Sequence, residues 1–414
     1  MTSGVEGIKV IEASSAVAGP MSSRLLADWG ADVIHIDNTE GSMARTMSSA
    51  TPEQTAARQN AARQSRQIVS DINYTAQNTS CNKRGIALNL AHESGMEILY
   101  KLLKDADVFI SNFRPRQLEK FKLTYEDLSQ LNPRLICATL TGFGRKGPLM
   151  NEPGFGPSAG DGRSGLLHVL QEPGVGPVQM PIAYADFITA MTLAYGIMTA
   201  LFIREKTGIA QTVDASLYNS VVYAMANDIG GSLVSGEDRQ SIDRKDRAPL
   251  MNFYPTKDNR WLYIMMTRQD VYWPKFSKAI EREDLAHDSR FASGPLNDED
   301  SHALFSILDE VFKTKTLDEW KPILTAVGFP WAPVQNLPEV CSDPQARANG
   351  FFAPLSHPRY GDIEIVANPI KLGKTPETEK KPAPDFNENT EGVLLEIGYT
   401  AKDIKKFKEQ QVIV

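Results

Sequence analysis

The chain has 414 residues, of which 42% are hydrophobic and 23% charged. At ~150 residues per domain this length makes two or three domains, and the composition excludes a disordered or fibrous protein. Lys and Arg number 44 against 51 Asp and Glu, a net charge of −7, which disfavours nucleic acid and anionic membranes as partners and requires a local cationic patch for any anionic ligand.

The opening alternates strand and helix signals. Residues 8–13 (IKVIEA) read as a short buried strand, followed by a small-residue loop, 14–20. Pro20 stands at a plausible first helical position, residues 21–29 carry Leu25 and Leu26 on one helical face, and Gly30 stops the helix. Residues 33–36 form a second strand, and 85–90 a third after a long polar segment. In 92–104, Met96, Leu99, Leu102 and Leu103 recur at helical spacing. Further strands fall at 108–111 and 135–140. Non-alternating strands separated by helices argue for an α/β fold built on a parallel sheet.

Residues 144–181 are rich in Gly and Pro and read as a long ordered loop. A strongly apolar helix is expected over 187–206 and a strand over 212–215. The most apolar run, 190–203, is shorter than the ~20 residues of a membrane span. The expected organisation is a large domain over 1–220, a linker over 221–246, a smaller domain over 247–330, a return linker over 331–360, and a C-terminal part, 361–414, that completes the large domain. Cys81, Cys137 and Cys341 form no C-x-x-C pair and read as buried thiols of a reducing compartment. The N-terminal residues show no signal-peptide pattern, so a cytoplasmic location is expected.

Three familiar motifs lack their structural context. Gly142-Phe-Gly144-Arg-Lys-Gly147 matches the dinucleotide pattern, but Pro148 and a loop follow it instead of a helix. Gly156-Pro-Ser158-Ala-Gly160 matches a nucleophile elbow, yet both flanks are loop. The six histidines show no ligand spacing, so no metal site is expected.

Two features remain. Asp186 stands between a Pro-containing extended segment and the apolar helix. A plain helix N-cap is one reading. A covalent nucleophile is the other, since a helix N-terminus stabilises a carboxylate and carboxylates attack carbonyl centres where water is excluded. The stretch from Asn112 to Lys122 (NFRPRQLEKFK) follows a strand end and gathers four cations and two aromatics. It is either a solvated helix start or a site for phosphates and an adenine ring.

At these residues the sequence resembles the family III CoA-transferases of the CaiB–BaiF type. The resemblance runs through GIKVIEASSAVAGPMSSRLLADWGADVIHID, NKRGIALNL, SNFRP, NPRLICATLTGFGRKGP, and Asp186 with its helix down to TGIAQTVDASLYNSV. It implies a Rossmann-like large domain, a smaller α+β domain and two chains interlocked as rings in a homodimer. It implies Asp186 as the catalytic carboxylate. The implied CoA-binding residues are Val17, Ala18, Leu88, Asn89, Leu90, Asn112, Phe113, Arg114 and Lys120. Asn38 and Lys120 stand where some members place arginines, Ala91 replaces a lysine of the oxalate-using branch, and Gly230-Gly231-Ser232 is a poor match to that branch's glycine loop. The segment NRWLYIMMTRQDVYWPKFSKAIEREDL and the polar insert before Asn82 look closer to members acting on 2-hydroxy and aryl acids. The implied reaction moves CoA from an acyl-CoA to a medium-sized 2-hydroxy, aryl or dicarboxylic acid. It passes through aspartyl anhydride and aspartyl-CoA thioester intermediates, with no cofactor beyond CoA as co-substrate. Two alternatives are a racemase-like proton transfer, against which the absence of a His in 154–165 argues, and an inert CoA-binding subunit of a heteromer.

Overall fold

The computed structural model describes residues 4–41, 60, 72–292 and 296–414; most of the polar insert before Asn82 lies outside them. Six short segments, most of them largely apolar, become the parallel strands β1 (Lys9–Ala13), β2 (Asp32–Asp37), β3 (Arg84–Ala87), β4 (Val108–Ser111), β5 (Ile136–Thr141) and β6 (Thr212–Ser216). Their order is β3-β2-β1-β4-β5-β6, with Val10 level with both Val33 and Val108. Successive side chains enter opposite cores, as the strand period of two requires. Val10, Val33, Ile110 and Ile136 join one, while Ile11, Ile34, Phe109 and Cys137 join the other. Both faces are covered, which explains why the strands read as continuous apolar runs. The strand order reverses between β1 and β4, and open α/β sheets bind ligands beyond the strand ends at such a point.

The first core is roofed by α1 (Ala18–Ala27) and a 24-residue helix, Tyr184–Thr207; the second by α3 (Glu93–Lys104) and two C-terminal helices, Thr390–Glu396 and Ala401–Glu409. Between α1 and α3 in sequence lies α2 (Tyr74–Ser80). After β4 come α4 (Pro115–Lys120) and α5 (Tyr125–Leu131); the Tyr184–Thr207 helix is α6, followed by α7 (Leu217–Ala224). The C-terminal segment is stitched to β3 and beyond. The amides of Gly85 and Ala87 donate to the Asn389 and Thr390 side chains, and the Asn89 amide donates to the Val412 carbonyl at 2.9 Å. Val412 and Ile413 are buried in the same core.

The chain divides into two units. The first comprises Met1–His168, Val178–Asp238 and Ala348–Val414, the second Val169–Pro177 and Arg239–Arg347. The second unit has its own antiparallel sheet of β7 (Met251–Pro255), β8 (Trp261–Met265) and β9 (Trp331–Pro333). Its core is aromatic, built on Tyr254, Trp273, Phe276, Phe312 and Trp320.

Several sequence expectations need correction. Helix α1 begins at Ala18, so Pro20 is its third residue, tolerated because first-turn amides have no intrahelical partner. The loop over 144–181 contains a π-helical turn, Gly156–Gly162, and one helical turn, Leu166–Val169. The stretch 221–246 is not a bare linker: the end of α7 and α8 (Ala226–Ser235) lie in it. Helix α8 has no buried residue, so no apolar periodicity announces it. The stretch 331–360 carries β9, helices Leu337–Ser342 and Pro344–Ala348, and β10 (Phe352–His357), which pairs with β11 (Gly361–Val366). Two of its prolines, Pro338 and Pro344, begin helices instead of breaking them. Cys81 and Cys137 are buried, but Cys341 is exposed.

Helix α6 is longer than expected, and by length and composition alone it is long and apolar enough to cross a membrane. Leu193, Ile197 and Leu201 face the sheet core. Phe187, Met191, Tyr195, Met198 and Phe202 form an exposed stripe on the same helix, with Tyr195 75% and Phe202 64% exposed.

Candidate active site

Asp186 is not the cap of α6. Ala183, with φ +68°, turns the chain into the helix, and Asp186 is its third residue. The glycine-rich segment 142–162 wraps this helix start. A Cβ at Gly142 would lie 2.9 Å from the Gly154 Cα, one at Gly156 would overlap Asp186 Oδ2, and one at Gly160 would overlap the Ala185 side chain. The backbone therefore approaches the carboxylate more closely than any side chain permits. Burial, foremost, and the charge of Asp161 raise the Asp186 carboxyl to about 6, although its own amide and that of Ala18 favour the ionised form. At neutral pH it is a carboxylate with heightened basicity.

Facing it is the loop after β1. Ser14 is buried, and its hydroxyl donates to the Glu12 carboxylate, which also accepts from Ser23 Oγ at 2.9 Å and Lys83 Nζ at 3.0 Å. His35 Nδ1 lies 2.8 Å from Glu12, and its Nε2 lies 3.1 Å from Asp37. Burial alone would raise the Glu12 carboxyl, but the charges of His35 and Lys83 and the hydrogen bonds outweigh it and hold it well below the ordinary range. Beyond Ser14 the loop is clamped from β4: the Ser15 amide donates to Asn112 Oδ1 at 3.2 Å, and Asn112 Nδ2 donates back to the Ser15 carbonyl at 3.0 Å. Ala16 has φ +66°.

Two cavities meet at this loop. One, of about 310 Å³, contains Asp186, Ala18, Gly154, Phe155 and Arg114. The other, of about 700 Å³, is walled by Asp37, Asn38, Leu88, Asn89, Leu90 and Ala91. Ser15, Ala16, Asn112, Phe113 and Gln117 belong to both walls. A carboxylate in a small chamber opening beside a larger one suits a long ligand whose reactive end reaches Asp186.

Of the residues picked out in the sequence, Ala18, Leu88, Asn89, Leu90, Asn112, Phe113, Arg114 and Asp186 thus gather on these walls. Val17 and Lys120 line neither cavity. Lys120 ends α4 while Arg114 precedes it, and six helical residues carry the chain about 9 Å onward. Arg114 is held by Gln117 Oε1 and by the Asn151 carbonyl at 3.2 Å. Ser15, Ala16, Gly156 and Asp161 were not singled out from the sequence for a role here. Gly156 drew notice in the discarded elbow motif and as part of the glycine-rich 142–160 loop, expected to offer backbone donors to oxyanions at Asp186; nothing local shows that it itself faces Asp186, thirty positions away.

Residues 5–390 match the family model "CoA-transferase family III". The chain belongs to CoA-transferase family III. This CoA-transferase is 31% identical over 409 residues to (R)-2-hydroxy-4-methylpentanoate CoA-transferase of Clostridioides difficile, covering 99% of each chain. It is also 31% identical to cinnamoyl-CoA:phenyllactate CoA-transferase of Clostridium sporogenes, covering 99% of this chain and 97% of that one. Among solved structures it resembles a CAIB/BAIF family protein from Brucella suis. The TM-score is 0.81 and the identity 26%, with 96% of this chain and all of the other covered.

Proposed function

We propose that this enzyme transfers CoA from an acyl-CoA to a medium-sized 2-hydroxy, aryl or dicarboxylic acid, with Asp186 as covalent nucleophile. The observation that carries the reading is the ionisable, half-buried Asp186 in a chamber continuous with a CoA-sized cavity. An Asp186 oxygen attacks the thioester carbonyl; the tetrahedral centre collapses, breaks the C–S bond and leaves a mixed anhydride and CoA thiolate. The thiolate attacks the Asp186 carbonyl carbon and expels the donor acid as its carboxylate, giving aspartyl-CoA thioester. An acceptor carboxylate attacks that thioester, forming a second anhydride and releasing thiolate. The thiolate then attacks the acceptor's carbonyl, completing the new acyl-CoA and freeing Asp186. The amide of Ala18, which bonds the Asp186 carboxylate, the first-turn amides of α6 and the backbone of the glycine-rich 142–160 loop are the donors that serve the developing oxyanions.

The larger cavity takes the nucleotide and pantetheine, with Phe113 and Leu88 to Leu90 against apolar parts; Arg114, on the wall of the Asp186 chamber, meets anionic groups where the ligand passes between the two cavities. Phe155, Leu140 and Leu217 give the Asp186 chamber apolar walls, which suits the aryl and branched acids named for the two relatives. The exposed stripe of α6 supports a homodimer in which a second chain covers it. The thiols and composition support a cytoplasmic location.

Incubation with an acyl-CoA and hydroxylamine tests the mechanism. Anhydrides and thioesters acylate hydroxylamine and a free carboxylate does not, so peptide mapping finds Asp186 as its hydroxamate and activity is lost. Exchange of the substrate's α-hydrogen with solvent deuterium, with Asp186 unmodified, replaces this reading with racemase-like proton transfer. An inert subunit shows neither signal.

A further inference from the structure

Asp161 lies on the π-helical turn Gly156–Gly162, is only 3% exposed, and has an Oδ1 that is buried with no hydrogen-bond partner among the described residues. A buried carboxylate oxygen left without a hydrogen-bond partner loses its hydration with nothing in return, so its presence needs a reason. Its surroundings supply one. The turn it sits on is pressed against the start of α6, with Gly156 against the Asp186 carboxylate and Gly160, the residue before Asp161, against Ala185. The charged and titratable groups on the packed elements are few. The start of α6 brings Asp186 and the exposed Tyr184; α7 brings Tyr218 and the exposed Tyr223; the turn's own end brings Arg163, whose guanidinium lies over the Phe143 and Tyr218 rings at 5.9 and 5.6 Å. No ion pair neutralises Asp161 among the described residues.

We propose that Asp161 is a positioning residue that tunes the nucleophile: its buried, unpaired charge stands behind Asp186 and destabilises the free carboxylate relative to every acylated, neutral form. The proposal rests on Asp186 being the nucleophile. Each acylation of Asp186 removes one of two neighbouring negative charges, so anhydride and thioester formation relieve repulsion. The more basic carboxylate is also the stronger nucleophile. The direction of both carboxyl shifts agrees: burial raises Asp161, and Asp161's charge adds to burial in raising Asp186. Two carboxyls coupled in this way release their protons in steps that belong to the pair.

The test is Asp161→Asn in the full-length enzyme, followed as kcat/KM against pH and as Asp186 hydroxamate formation against pH. With the Asp186 carboxyl raised to about 6, the acid limb of the wild type is expected there. In the variant the limb moves to lower pH, and the plateau rate falls although hydroxamate still forms at Asp186. A merely structural role lowers the plateau and leaves the limb in place, which overturns the proposal. Absence of hydroxamate in the wild type refutes instead the nucleophile assignment. Should Asp161→Asn not fold, infrared titration of wild type and Asp186→Asn keeps the proposal falsifiable. Loss of the Asp186 charge must lower the titration midpoint of a second, buried carboxyl, and an unmoved spectrum overturns it.

Discussion

Asp186→Asn is expected to abolish transfer and, at neutral and alkaline pH, to stabilise the protein. The carboxyl rises from 3.8 to about 6 on folding, mainly through burial and then through Asp161. A raised carboxyl binds its proton more tightly in the folded state, so folding is penalised once the group ionises. The penalty is absent below pH 3.8, grows between 3.8 and about 6, and is complete above. Roughly two pH units correspond to about 3 kcal/mol. An amide is close in shape to the protonated acid, so the variant escapes the penalty throughout. With about 2 cal/mol/K of unfolding entropy per residue and roughly 300 residues in the first unit, the gain is about 5 °C in melting temperature. Thermal and urea denaturation at pH 8, 6 and 4 measure it. The variant's advantage must shrink steadily and vanish near pH 4. A variant less stable than wild type at pH 8, or an advantage independent of pH, refutes the account of Asp186 as a strained, ionised group.

Glu12→Gln leaves Lys83 buried without its counter-charge and is expected to cost about 3–5 kcal/mol in urea unfolding. Because the Glu12 carboxyl is depressed in the fold, its stabilisation is fully present above pH 4.5 and is lost as pH falls below that. The variant's deficit therefore narrows in acid. Gly156→Ala places a methyl on the Asp186 oxygen; circular dichroism stays native while hydroxamate formation at Asp186 collapses. Arg114→Ala, on the cavity wall, weakens CoA binding in calorimetry, less so at high salt as screening weakens the lost contact. Lys120→Ala, off the wall, changes it far less; equal losses would place CoA along α4 instead.

The parallel sheet was legible because its strands are buried on both faces: runs such as Val108–Ser111 and Ile136–Thr141 have no solvent side to interrupt them. Asp186 was legible because a lone acid opens a long apolar helix. Its neighbours were not. Gly156, Asp161 and the loop at Ser15 reach the site across roughly 25 to 170 positions of chain, and such contacts leave no periodic trace in a single sequence. The Glu12–Lys83 pair, 71 positions apart, is hidden for the same reason. The exposed stripe of α6 is invisible for a different one: both faces are apolar, so no moment separates the face toward the sheet from the face toward solvent.

The wall Leu88–Leu90 is held from behind by residues such as Thr390 and Val412, the former 303 positions downstream of its partner Ala87. At ribosomal rates of about 5–20 residues per second, roughly 15–60 s separate the making of the two. During that interval the core around Ile86, Ile98 and Leu99 lacks Val393, Leu394 and Phe407, which complete it. The nascent chain thus carries Asp186 and the loop at Ser15 well before it has a finished pocket. Until its last residues emerge, the chain exposes apolar surface that the mature fold buries, the condition under which aggregation competes with folding.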